Sequence, residues 1–184
     1  TERELRNASI LVRDNVIEAI GAAEEIADTA DEVIDASRCV VTPGLVNTHH
    51  HMYQSLTRAV PAVQDAELFT WLKGLYPIWA RMTPEMIHTS ALTAMAELLL
   101  SGCTTSSDHL YLYPNGARLD DTIHAAQRIG MRFHAMRGSM SVGASAGGLP
   151  PDSVVEKEAA ILKDSQRVVE QFHNANRYAM IRVG

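Results

Sequence analysis

Three consecutive histidines, His49, His50 and His51, follow a short apolar run and are the residues of this sequence best suited to chemistry. Alternate residues of a strand project to the same side, so an extended chain places His49 and His51 together and His50 opposite. Neutral imidazole is a good ligand for Zn²⁺ or Fe²⁺, and catalytic zinc sites combine a few protein ligands with a water. The spacing therefore predicts that His49 and His51 bind one divalent metal, zinc or iron, and that His50 packs beside them.

Two ligands are too few for a stable metal site, so further ligands must come from elsewhere. The alternative interpretation, a surface loop or the remnant of an expression tag, fits the context less well. A tag is rarely embedded between a Gly-Leu-Val-Asn segment and a Met-Tyr-Gln segment, as this triplet is.

Composition excludes several other classes of function. The 184 residues include 46% hydrophobic residues and 16 Lys and Arg against 22 Asp and Glu, for a formal net charge of -6. Scattered, outnumbered basic residues argue against a nucleic-acid surface, which needs clustered cations. We expect no membrane span and no secretory signal, because no long apolar run is present. Only two cysteines occur, Cys39 and Cys103, which fits a reducing cytoplasm.

The first forty residues are typical of a small antiparallel sheet. β-prone runs at residues 9–12 and 16–20 flank a polar Arg-Asp-Asn turn, which predicts a tight hairpin. Residues 31–35 predict a third strand. No helical pattern is available to cover this sheet, so it needs a partner from elsewhere.

From Cys39 onward the pattern alternates between apolar strands and amphipathic helices. Predicted strands lie within residues 39–47, 103–108, 131–136 and 178–183. Predicted helices follow the cap at Thr83, span 121–129, and follow a capping box at Ser153 to Glu156. This alternation predicts right-handed crossovers and a parallel sheet. Four such units fit residues 43–184, whereas a closed (β/α)₈ barrel takes about 250 residues. Either the sheet is open or the chain holds about half of a barrel, and we expect the second.

The histidine strand also resembles a known family. Residues 41–51, VTPGLVNTHHH, resemble the signature strand of the amidohydrolase superfamily, whose members carry His-x-His at the end of the first barrel strand. Residues 47–58, 75–79 and 101–113 resemble the group of 8-oxoguanine deaminases, a branch also labelled hydroxydechloroatrazine ethylaminohydrolases.

The resemblance implies an α/β fold: the N-terminal half of a (β/α)₈ TIM-like barrel in residues 43–184, preceded by part of a small β-sandwich in residues 1–42. It implies one metal, usually zinc, held in part by His49 and His51, and hydrolytic release of ammonia from a purine-like ring. The remaining ligands and the catalytic acid and base are expected beyond Gly184. His173 lies in a polar stretch and is predicted to be a surface residue.

The resemblance further suggests residues that contact the substrate. Gln54 has the spacing of a glutamine that contacts the base edge, and its amide offers a donor and an acceptor, although a solvated loop residue is the alternative. Trp71 matches a pocket tryptophan that could stack on a flat heterocycle, with core packing as the alternative. Trp79 stands where the nucleoside-deaminating branch carries an acid for the ribose hydroxyls. An indole cannot accept those bonds, so Trp79 favours a free base.

Two more candidates follow later strands. Arg137 ends the third predicted barrel strand, where a guanidinium could bind a carbonyl oxygen or form a structural ion pair. Tyr111, like His109, follows the second strand on the predicted active face. Asp108 either anchors its loop or touches the substrate.

The sequence thus predicts a metal-dependent aminohydrolase acting on an oxidised purine such as 8-oxoguanine. The alternatives are removal of an alkylamino group from an s-triazine by the same centre, and a noncatalytic metal-binding or assembly module. The expected partners are a small heterocyclic substrate, water and further copies of the chain in a homo-oligomer.

Overall fold

The computed structural model describes residues 4–26 and 30–184. The chain divides into two units, Thr1–Pro43 and Gly44–Gly184. In the first unit, β1 (Ala8–Arg13) pairs antiparallel with β2 (Val16–Ala22) across a two-residue turn. Asp14 in that turn has a φ of 54°, a left-handed conformation that aspartate tolerates. The predicted hairpin is confirmed.

The third strand predicted at residues 31–35 is wrong. This segment has no strand structure, and Val33 and Ile34 are 82% and 81% exposed. A strand needs a neighbour for its backbone hydrogen bonds, and the described part of the chain pairs only β1 with β2 in this unit. β-prone composition alone therefore does not produce a strand here.

The second unit alternates strands and helices. Its four strands are β3 (Leu45–Asn47), β4 (Cys103–Leu110), β5 (Arg132–Arg137) and β6 (Ile181–Val183). Its helices are α1 (Leu68–Trp79), α2 (Pro84–Leu100), α3 (Leu119–Ile129) and α4 (Glu158–Phe172). The strands form one parallel sheet in the order β3, β4, β5, β6. The predicted parallel sheet of an α/β fold is confirmed.

Helix α2 begins and ends where the sequence predicts. The Thr83 hydroxyl accepts a hydrogen bond from the Met86 backbone N–H, Pro84 occupies the first helical position, and Gly102 follows the helix with a φ of 86°. The buried face of α2 carries Ile87 and Met95 and contributes to a core shared with the sheet. The largest fully buried side chains of this core include Trp79, Tyr53, Phe133, Met52, Leu75, Leu110 and Ile123.

The capping box predicted at Ser153 to Glu156 is wrong. Ser153 lies in a short 3-10 turn, and α4 begins only at Glu158. The Glu156 carboxylate binds Arg137, 19 residues earlier, at 2.6 and 2.9 Å, and so does not cap a helix. A long-range ion pair has overridden the local signature.

No helix in the described ranges is long and apolar enough to cross a membrane.

The strands of the parallel sheet end at one edge, and the side chains of interest follow them: His49 to His51 after β3, His109 and Tyr111 at and after the end of β4, and Arg137 at the end of β5. In parallel α/β sheets this edge is where ligands bind.

Candidate metal and substrate site

The His49 and His51 side chains lie together at the end of β3. Their ring centroids are 5.1 Å apart and the rings are nearly perpendicular. The His109 ring, at the end of β4, lies 5.4 Å from that of His51. The chain then turns into a 3-10 segment, Met52–Thr57, which carries the predicted substrate residue Gln54.

The His51 ring is held with one nitrogen free. Its Nδ1 lies 2.8 Å from the backbone carbonyl oxygen of His109. A carbonyl oxygen only accepts, so Nδ1 must carry the proton, and the lone pair is on Nε2. Metal-binding histidines commonly use one ring nitrogen in this way to fix the orientation and tautomer of the other.

His50 is placed differently from its neighbours. Its backbone oxygen accepts a hydrogen bond from the His109 N–H at 2.9 Å, which ties the triplet to β4. Its Nδ1 is buried and has no hydrogen-bond partner among the described residues. Burial lowers the pKa of His50, so the ring is kept in its neutral form.

The residue after the triplet is clamped on both sides of its backbone. The Met52 N–H donates to Asp108 Oδ1 at 2.7 Å, and the Ser90 hydroxyl donates to the Met52 carbonyl oxygen at 2.6 Å. Asp108 and Ser90 are both fully buried. Burial raises the pKa of Asp108 to about 7. Of the two roles left open for Asp108, the structure shows the loop anchor.

A cleft of about 270 Å³ opens at this edge, lined by His49, His50, His51, Gln54, Ser55 and Arg58. The Gln54 Nε2 atom donates to the hydroxyl oxygens of Tyr53 and Tyr111, at 3.2 and 3.5 Å. The Tyr111 ring lies edge-on to His51 at 5.3 Å. Because both amide hydrogens face the tyrosines, the Gln54 side-chain oxygen Oε1 is the atom left to accept from a ligand.

Gly138 makes this arrangement possible from the β5 side. A side chain at this position would collide with the His109 ring and with Tyr111. Its backbone N–H instead donates to the Leu110 carbonyl oxygen at 2.8 Å, which ties the ends of β4 and β5 together. The glycine thus lets both rings pack against the end of β5.

Trp79 does not line this cleft, so its predicted contact with the substrate is wrong. The side chain is fully buried, edge-on to Tyr53, and its Nε1–H donates to the Thr57 hydroxyl at 2.9 Å. Thr57 in turn donates to the Gln54 backbone carbonyl oxygen at 3.0 Å. Trp79 therefore supports the backbone that carries Gln54, and it no longer provides a reason to favour a free base.

Trp71 is half-buried and packs edge-on to Trp79 at 5.3 Å. The contact fits the core-packing alternative, while its exposed part leaves the stacking role open to test.

Arg137 is also placed outside the cleft. Its guanidinium pairs with Glu156 at 2.6 Å and with Asp164 at 3.2 Å, and lies 4.3 Å from the centre of the Tyr113 ring. The side chain is only 2% exposed. The predicted substrate contact is therefore replaced by the structural ion pair, because every face of the guanidinium is already covered.

Sequence reasoning missed Thr57, Ser90 and Tyr53. Ser90 could have been found, because it shares the buried face of α2 with Ile87 and Ala91. A polar residue at an apolar position needs a partner, and here the partner is a backbone oxygen. The partners of Thr57 and Tyr53 depend on tertiary contacts that local patterns do not carry. His173, expected at the surface, is exposed, and its Nδ1 lies 3.0 Å from the Val183 carbonyl oxygen.

The His49 and His51 side chains are suitable ligands for zinc, but they form only part of a zinc site. Within residues 4–26 and 30–184, no group of three or more His, Cys, Asp or Glu side chains is arranged to hold a metal ion. His49 and His51 provide two imidazoles, and His51 is already in the tautomer that leaves Nε2 to bind. A complete site needs at least one more ligand.

Comparisons with known proteins agree with this chemistry. Residues 40–181 match the Amidohydrolase family. The 8-oxoguanine deaminase of Pseudomonas aeruginosa is 46% identical over 177 residues, covering 95% of this chain and 39% of that protein. The hydroxydechloroatrazine ethylaminohydrolase of Pseudomonas sp. strain ADP is 34% identical over 194 residues, covering 97% and 40%.

A solved structure is similar as well. The crystal structure of an atrazine chlorohydrolase from Arthrobacter aurescens TC1 complexed with zinc matches with a TM-score of 0.87 and 31% identity, covering 100% of this chain and 42% of that one. The chain thus spans about two fifths of the length of the relatives it matches. The family match covers more than half of the chain, and on this ground the chain belongs to the Amidohydrolase family.

Proposed function

We propose that this chain is the N-terminal half of a metal-dependent aminohydrolase that deaminates an oxidised purine base such as 8-oxoguanine. In this proposal residues 43–184 form the first four units of a (β/α)₈ barrel, and residues 1–42 form part of a small β-sandwich. The single observation that carries it is the pair of imidazoles 5.1 Å apart, with Nε2 of His51 left free. The 46% identity to an 8-oxoguanine deaminase supports the substrate class.

His49 and His51 would hold the metal, with zinc favoured because a similar structure contains it. Bound zinc would act as a Lewis acid and lower the pKa of a coordinated water. In the reaction, water replaces the ring amino group and ammonia leaves. The remaining ligands and the groups that transfer protons are proposed to lie beyond Gly184.

Gln54 and Tyr111 are the main residues that we propose to contact the substrate. The Gln54 side-chain oxygen Oε1 would accept a hydrogen bond from a ring N–H, and the two tyrosine hydroxyls would hold the side-chain amide in that orientation. Tyr111 would form one wall beside His51. Trp71 is proposed to stack on the flat ring with its exposed part. Trp79 and Arg137 act behind the site.

A second candidate is removal of an alkylamino group from an s-triazine. It is favoured by the 34% identity to a hydroxydechloroatrazine ethylaminohydrolase and by the similarity to an atrazine chlorohydrolase structure. The two reactions use the same centre and differ in the leaving group, which is ammonia in one and an alkylamine in the other.

The test compares both reactions in the complete zinc-loaded enzyme. We expect ammonia release from 8-oxoguanine with a kcat/KM at least tenfold above that for ethylamine release from an N-ethylamino-hydroxy-s-triazine, and no turnover of either in His51→Ala. The reverse ratio would select the triazine reaction. Zinc binding without turnover of either compound would leave a noncatalytic metal-binding module and overturn the proposal.

A further inference from the structure

The backbone of Met52 carries two of the shortest side-chain hydrogen bonds in the described chain. Its N–H donates to Asp108 at 2.7 Å, and its carbonyl oxygen accepts from Ser90 at 2.6 Å. One partner comes from β4 and the other from α2. Both are fully buried, so neither bond competes with water.

These bonds hold the residue that directly follows His51. Two further contacts lie beside them: the His50 carbonyl oxygen accepts from the His109 N–H, and His51 Nδ1 binds the His109 carbonyl oxygen. The segment from His50 to Met52 is thus hydrogen-bonded at four points, three of them to Asp108 and His109 and one to Ser90 of α2. Orientation of an imidazole to within a fraction of an ångström requires such support.

The Asp108 carboxylate also has an unusual surrounding for a buried acid. Its Oδ2 atom is buried and has no hydrogen-bond partner among the described residues. None of the ion pairs among the described residues joins Asp108 to an arginine or a lysine. A buried carboxyl group without a cation is costly, which argues that its hydrogen bond from the Met52 N–H has a purpose beyond stability.

We infer that Asp108 and Ser90 are positioning residues that fix the metal ligand His51 by clamping the Met52 backbone. The inference rests on the proposed function, because it gives His51 the metal-binding role. Neither side chain touches metal or substrate. Loss of either bond lets the Met52 peptide rotate, and the His51 ring moves away from the position that it shares with His49.

The test measures zinc affinity by chelator competition in the complete enzyme, together with thermal stability of the metal-free form. We expect Asp108→Ala and Ser90→Ala each to weaken zinc affinity by about 10- to 100-fold, the range for residues that orient metal ligands. Asp108→Asn keeps an acceptor oxygen of the same shape and should keep affinity within about threefold of the wild type, by the same reasoning.

The matched control is Thr122→Val. Thr122 is a fully buried hydroxyl of α3 that donates to the Leu119 carbonyl oxygen at 3.0 Å, away from the cleft. It should lower stability without changing zinc affinity. If Asp108→Ala does not fold, Ser90→Ala decides. Wild-type zinc affinity in the folded clamp variants, or the same loss in Thr122→Val, would overturn the inference. If the wild-type enzyme itself binds no zinc, the proposed function fails instead.

Discussion

The ends of β3 and β5 lie in one sheet, and both carry polar side chains that sequence patterns assign to a ligand. At the end of β5, the Arg137 guanidinium donates to Glu156 with two nitrogens, to Asp164 with a third, and to the Gly138 carbonyl oxygen. At the end of β3, His51 uses Nδ1 for a backbone oxygen and keeps Nε2 free. The first group is saturated by the fold, and the second is left half-paired.

This difference identifies Arg137 as a structural residue and supports the metal-binding role that we propose for His51. The Arg137 cluster continues into Arg167, which pairs with Asp120 at 2.6 Å and with Asp164 at 2.8 Å. Although burial opposes it, hydrogen bonds from Arg167 and Arg137 hold the pKa of Asp164 below its ordinary value. The cluster therefore ties β5 to α3 and α4. A residue type suited to substrate binding becomes a structural residue once its partners lie within the fold.

The largest expected effect comes from breaking the saturated side. Arg137→Met leaves the Glu156 carboxylate without its arginine and removes one of the arginines that pair with Asp164. It should lower the free energy of unfolding by about 3 kcal/mol, the lower end for a broken buried pair because both acids are partly exposed. Denaturant unfolding of the complete enzyme measures this. Arg118→Met is the control: its side chain is 50% exposed, so the loss should stay below about 1 kcal/mol.

The Arg137→Met variant also tests whether Arg137 contacts the substrate. If it is structural, folded Arg137→Met at low temperature should keep the KM for substrate within about threefold of the wild type. A KM raised tenfold or more with unchanged stability would return Arg137 to the substrate site.

The next largest effect is expected beside His51, on the half-paired side of the comparison. Gln54→Ala removes the carbonyl oxygen that we propose accepts from the base, and an unpaired polar group in a closed site costs about 1–3 kcal/mol. Turnover of 8-oxoguanine should fall by about one to two orders of magnitude, at about 1.4 kcal/mol per tenfold. Bound zinc should not change. Gln64→Ala, an exposed glutamine outside the cleft, is the control, and equal kinetics in both variants would remove Gln54 from the site.

The smallest effect concerns the support behind Gln54. Thr57→Val and Trp79→Phe each break the chain of hydrogen bonds from the indole through Thr57 to the Gln54 backbone carbonyl oxygen. Each should lower kcat/KM by about three- to tenfold, as expected for one hydrogen bond of about 1 kcal/mol. Thr57→Ser keeps the hydroxyl and should restore activity. Because both variants break one chain, their effects should not add, and additive losses would contradict the coupling.

Much of the fold could be predicted from local signals. Thr83, Pro84 and Gly102 mark the ends of α2, and the alternation of strands and helices indicates the parallel sheet. Failures occurred where a distant residue decides. The strand predicted at residues 31–35 finds no neighbour among the described residues, and Glu156 binds Arg137 and not the start of a helix. Secondary structure that depends on tertiary partners is not encoded in a short window.

The site follows the same rule. The spacing of His49 and His51 predicts that they lie together, and their rings do lie 5.1 Å apart. Trp79 could not be assigned from its residue type, because an indole suits both stacking on a ligand and filling a core. Its position in α1 buries it completely, and its one polar atom finds Thr57, 22 residues earlier in the chain.

The most direct test of the account is the zinc content of the purified complete enzyme and of three alanine variants. We predict one zinc per chain in the wild type and in His50→Ala, and loss of both zinc and turnover in His49→Ala and in His51→Ala. The expectation follows from the free Nε2 of His51 and from the buried position of His50 Nδ1. Retention of zinc in His51→Ala together with its loss in His50→Ala would contradict the account.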